Sequence, residues 1–167
     1  MKRFIPWFFL LILTLTGCSV KEIPSPECVT DTLDIPSAPA FYLEAELPAE
    51  ARLEASCDDG RCVVFSGCGY EIYEEIFPAV SAEAGLLAVT GQAAGALSPV
   101  PVCSFPVPEY RFAWTAAGET GLLSCVGSLR YDGDYCYALT IRCPQSAGKD
   151  YREDFMEILN HTSLIEV

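Results

Sequence analysis

Nine cysteines and one histidine are the most reactive side chains among 167 residues, and their spacing limits what they can do. Cys57 and Cys62 flank Asp58-Asp59-Gly60-Arg61. Asp-Gly between alternating segments is a strong signal for a two-residue hairpin loop. With Asp59-Gly60 as that loop, Cys57 faces Cys62 as a non-hydrogen-bonded cross-strand pair, with Cα atoms about 4.5 Å apart. A disulfide tolerates that separation, so a Cys57–Cys62 bridge is expected in an oxidising compartment. The same logic at Asp132-Gly133 pairs Tyr131 with Asp134, which puts Cys136 opposite Leu129 and Cys143 opposite Leu122. Neither then joins Cys125 directly across the hairpin. The connectivity of Cys28, Cys68, Cys103, Cys125, Cys136 and Cys143 stays open.

Other chemistry finds less support. Four and five residues separate Cys57, Cys62 and Cys68, and no Cys-x-x-Cys pair exists, which argues against zinc and against a thioredoxin-type centre. Cys68, in Ser66-Gly67-Cys68-Gly69, would need a base to act as a nucleophile, and His161 is the sole histidine. The ordinary reading of His161 is an exposed residue at a helix end. Glu74 with Glu75, and Asp132 with Asp134, are the densest acid pairs for work on a glycan. Neighbours on a strand point to opposite faces, however, and Asp is common at turns without any catalytic duty. No phosphate loop or Gly-rich dinucleotide motif is present. The expectation is therefore no enzyme, no metal site and no cofactor.

The N-terminus sets the address. Lys2 and Arg3 precede a nearly unbroken apolar run from Phe4 to Leu15. Twelve residues make a helix of about 18 Å, short of the roughly 30 Å hydrocarbon core, so the run suits a signal peptide rather than a span. It ends in Leu15-Thr16-Gly17-Cys18, which resembles the lipobox of bacterial lipoproteins. The resemblance implies cleavage before Cys18 and lipid, palmitate included, on the Cys18 sulfur. Two acyl chains anchor stably where one does not. The expected location is the extracytoplasmic face of a cell membrane or envelope, where thiols oxidise. Residues 1–17 are then the signal peptide, 18–40 a lipidated N-terminus and Pro-rich tether, and 41–167 a single α+β domain.

The formal charge is −13, and removing Lys2 and Arg3 with the leader makes it more negative still. Such a surface repels nucleic acid and disfavours charge-driven attachment to anionic lipid. Membrane association therefore falls to the lipid on Cys18.

Within the domain, strands are expected at Phe41–Leu47, Ala51–Cys57, Cys62–Phe65 with a continuation towards Ile72 left open, Arg111–Ala116, Leu122–Tyr131 and Tyr135–Cys143. Ser81 and Gly91 bracket one helix, although Gly85 weakens it. Tyr151, Phe155, Ile158 and Leu159 make the apolar stripe of a second, with Arg152, Glu153 and Glu157 turned to water. Tyr70–Phe77 is ambiguous between strand and helix. Residues 92–108, with Pro99, Pro101, Pro106 and Pro108, read as a long irregular loop. The order strand-strand-strand-helix-strand-strand-strand-helix gives an antiparallel sheet of about six strands with two helices packed on it.

Tyr70-Glu71-Ile72-Tyr73-Glu74-Glu75-Ile76-Phe77 leading into a helix, and Tyr135-Cys136-Tyr137-Ala138-Leu139 followed by a C-terminal helix, resemble the PsbP-like superfamily over about residues 41–164. That likeness implies protein or ligand binding more than catalysis, and the eight cysteines beyond Cys18 depart from it. The expected role is a non-catalytic module that binds a partner through the 92–108 loop. The alternatives are an envelope or extracellular hydrolase using paired carboxylates, and a small-molecule-binding lipoprotein.

Overall fold

The computed structural model describes residues 38–57 and 60–167. The expected leader, Cys18 with its expected lipid, Cys28 and the expected tether up to residue 37 lie outside the described residues. In chain order the elements are β1 (Phe41–Ala45), β2 (Arg52–Ser56), β3 (Cys62–Ser66), β4 (Glu71–Pro78), α1 (Ala82–Thr90), α2 (Ala94–Leu97), β5 (Val100–Val102), β6 (Glu109–Gly118), β7 (Gly121–Tyr131), β8 (Tyr135–Pro144), α3 (Arg152–Asn160) and β9 (Thr162–Glu166). The class is α+β with antiparallel pairing. The main sheet has seven strands rather than six, ordered β2-β3-β4-β8-β7-β6-β5, and β1 leaves it to pair with β9. Among the described residues no helix is long and apolar enough to cross a membrane.

The central strand β8 shows why the molecule has three layers. Its odd residues Tyr137, Leu139 and Ile141 pack with Leu43, Phe155, Ile158 and Leu164 from β1, α3 and β9. Its even residues Cys136 and Ala138 pack with Leu86 of α1, Leu97 of α2, Phe112 and Trp114. A strand covered on both faces loses the polar alternation of a half-exposed one, and Thr140 is indeed fully buried. Each large aliphatic side chain so buried contributes roughly 1.5–3 kcal/mol.

Four expectations change. Tyr70–Phe77 resolves as strand β4, because it pairs on both sides, with β3 and β8. The 92–108 segment is not wholly irregular: it holds α2 and the short β5, whose Pro101 is tolerated because β5 is an edge strand. The helix α1 accommodates Gly85, and in fact needs it: a Cβ there would sit 2.3 Å from Cys136 Sγ. Ser81 Oγ accepts from Ala84 N at 3.1 Å and Gly91, at φ 70°, closes the other end. Finally, Tyr131 pairs with Cys136, two positions from the expected register. Asp132 is the residue before the turn rather than its first central residue. Its carboxylate accepts from Asp134 N and Tyr135 N, and Gly133 takes the positive φ of 118°.

Candidate functional site

Helix α3 separates two concavities of opposite character. Phe155, Ile158 and Leu159 bury its stripe against the sheet, while Arg111 Nη2 donates to Leu159 O at 3.2 Å and holds the helix end. One flank, with Asp154, Glu157 and Ile158, faces a cleft of about 340 Å³ closed by the β1–β2 connection and the β3–β4 turn. The other flank, with Arg152, Phe155, Met156 and Leu159, faces a groove of about 560 Å³ floored by β6 and β7.

The cleft is acidic. Glu46, Glu50, Asp154 and Glu157 line it together with Tyr70 and Tyr151, whose rings meet edge-on at 5.6 Å. Tyr70 Oη donates to Glu50 Oε1 at 3.0 Å. Burial, and then that carboxylate, push the Tyr70 hydroxyl up to about 12, so it stays a donor. Cys68 and His161 share this cleft. Sequence spacing gave no hint of this, because 92 residues intervene and only the closure of β9 on β1 brings them near. No hydrogen bond joins thiol to imidazole. Ser66-Gly67-Cys68-Gly69 is a tight turn in which Gly67 N donates to Tyr70 O at 2.9 Å. A Cβ on Gly67 would strike the Tyr70 ring, and Gly69 lies at φ 84°, so these glycines are explained by the turn.

The groove is mainly apolar. Leu97, Val100, Ala113, Val126 and Met156 line it, with Ser98 and Ser124 as small polar members. Val100 is 61% exposed and Met156 39%, so these apolar side chains stay open to solvent. No carboxylate lines it, whereas Arg111 and Arg152 do. Arg111 is fully committed: Nε donates to Glu109 Oε1 at 2.5 Å and Nη1 to Asn160 Oδ1 at 2.7 Å. Behind it Arg130 Nη2 donates to the buried Glu109 at 2.7 Å and to Thr162 O at 2.9 Å. Arg152 is exposed and makes no ion pair with any described residue. A concave, mostly apolar site with a few polar groups is the usual form of a small-ligand site.

The other candidate residues fall elsewhere. Glu74 and Glu75 lie on opposite faces of β4 and line neither concavity. Asp132 Oδ2 accepts from Tyr137 Oη at 2.6 Å and so serves the hairpin. Cys57 lies opposite Cys62 as expected, but Cys57 N donates to Cys62 O at 2.8 Å, which makes this a hydrogen-bonded pair. Such pairs stand about 5.5 Å apart at Cα, still within disulfide reach. No disulfide is formed among the described residues. Cys125, Cys136 and Cys143 are buried, Cys68 and Cys103 exposed. Among the described residues no three His, Cys, Asp or Glu side chains group as metal ligands.

The fold resembles that of LpqN. This protein, involved in cell envelope biogenesis of Mycobacterium tuberculosis, matches with a TM-score of 0.52 at 10% identity, over 77% of this chain and 86% of LpqN. A Bacteroides thetaiotaomicron protein matches with a TM-score of 0.49 at 9% identity, over 75% of this chain and under half (46%) of its own. At such identity the likeness to LpqN concerns the fold. No family model and no curated protein sequence matches the chain.

Proposed function

We propose that the chain is a lipid-anchored, extracytoplasmic binding module of the cell envelope, without catalytic activity, whose ligand enters the apolar groove between α3 and the 92–108 segment. The single observation carrying this reading is the groove itself. It is a mostly apolar concavity of about 560 Å³, open to solvent between α3 and the 92–108 segment. The leader ending in Leu15-Thr16-Gly17-Cys18 and the fold shared with an envelope-biogenesis protein support the address. Leu97, Ser98 and Val100 make the 92–108 segment a wall of the groove, which gives that segment a part in binding. In the extracytoplasmic space Cys57 and Cys62 would close their bridge. The PsbP-like likeness points the same way, towards binding.

A benzophenone amino acid in place of Met156, in the full chain on cells, tests the reading. Ultraviolet light should yield an adduct that disappears when Ala113→Trp fills the groove, while the same probe at Glu153 yields none. No adduct at 156, or adducts indifferent to Ala113→Trp, would refute binding in the groove.

A further inference from the structure

We infer that the groove ligand is a single-chain anionic amphiphile, with its acyl chain along the groove and its charged head on Arg152; this rests on the groove being the binding site. The argument is one of charge complementarity. Acidic residues outnumber basic ones 23 to 10, so a concavity whose charged lining residues are both arginines runs against the balance of this molecule. The carboxylates of α3 that line a concavity, Asp154 and Glu157, both face the opposite cleft. Of the groove's two guanidiniums, Arg111 is consumed by Glu109, Asn160 and Leu159 O. Arg152 has no such partner among the described residues and stands on the groove beside Met156, one helical turn away on the same flank. A guanidinium with unused donors recognises a carboxylate or a phosphate. The overall negative charge opposes an anion only weakly, since repulsion from remote carboxylates is screened beyond about 8 Å at physiological salt, whereas Arg152 acts in contact.

The apolar length sets the other half of the ligand. Val126, Met156, Val100 and Leu97 offer hydrocarbon without a hydrogen-bond pattern that would read a sugar or a base. An alkyl chain asks for nothing more. Arg152 then distinguishes an acid or a phosphate head from a neutral one.

Native mass spectrometry of the full chain released from non-ionic detergent reads this directly, with palmitate, palmitoyl lysophosphatidylglycerol and hexadecanol as probes. Partition into detergent is common to all variants, so ratios between variants report the groove. One equivalent of an anionic probe should bind, and whichever of the two binds more tightly identifies a free fatty acid or a lysolipid as the source. Arg152→Gln should weaken both about tenfold and leave hexadecanol unchanged, and Arg152→Lys should restore most of the loss. Ala113→Trp should abolish all three. Hexadecanol binding as tightly as the anions, or Arg152→Gln without effect on them, would overturn the anionic head. If Ala113→Trp still blocked the probes in that case, the groove would remain the binding site, so the two failures can be told apart.

Discussion

Glu74 shows how one carboxyl can reveal its surroundings. On β4 it lies between Val63 of β3 and Leu139 of β8. Burial alone pushes it up from the usual carboxylate range to about 7. A raised acid binds its proton more tightly folded than unfolded, so its contribution to stability is full below about 4.5 and is lost as pH rises towards 7. Glu75, raised by burial against the opposing pull of Arg142, adds in the same direction. The urea midpoint should therefore be lower at pH 8 than at pH 5. Glu74→Gln should shrink the difference by on the order of 1–2 kcal/mol, a figure discounted for the part of the carboxyl that meets water. An unchanged pH profile in Glu74→Gln would mean that the carboxyl is solvated. The alternation of the strand already placed Glu74 and Glu75 on opposite faces. What covers each face, and hence which proton is held, was not legible in a single segment. The buried Glu109–Arg130 pair is a similar case: it becomes visible only once β6 and β7 are set in register with Glu109 opposite Arg130.

At the scale of elements, α1 and β8 approach so closely that one hydrogen atom on Gly85 is all the space allows. Gly85→Ala would bring a methyl against Cys136 Sγ and to 3.0 Å from Leu129 Cδ1. Overpacking of this kind costs about 1–3 kcal/mol, against the gain of up to about 1 kcal/mol that alanine brings to an exposed helix. In a Cys136→Ala background the same change should cost distinctly less, because the sulfur has gone. Urea midpoints for the four members of this cycle measure the coupling, and additive effects would show that the contact is not the cause. The caps of α1, the stripe of α3 and both long hairpins of β6, β7 and β8 were readable from local pattern. The hairpin register at Asp132 was not. An Asp-Gly pair signals a turn without saying whether Asp occupies it or precedes it, and here its carboxylate accepts the two amides that follow. Within 92–108, Pro99 and Pro101 masked a strand of three residues that pairs with β6.

For the whole molecule, the proposed attachment to the membrane would rest on covalent lipid rather than on charge, since the chain is strongly acidic. Cells fed an alkyne analogue of palmitate should label the wild-type chain and leave Cys18→Ser unlabelled. Label persisting on Cys18→Ser would move the lipid to another residue and undo the lipobox reading. The described domain is three-layered, and one helix divides an acidic cleft from an apolar groove. The cleft gathers the sole histidine and Cys68 without linking them, while the groove gathers apolar side chains and Arg152, which makes no ion pair with any described residue.

What the sequence determined by itself is what short-range physics writes into consecutive residues: the α+β class, the capped helix α1, the alternation of β8 and the opposition of Cys57 and Cys62. The tertiary structure alone decided the pairing of β1 with β9, the seventh strand, the reason for Gly85, and the split of α3 into an acidic and an apolar flank. Concavities are made by side chains distant in sequence. Their existence depends on how layers pack, and no local period or spacing encodes that.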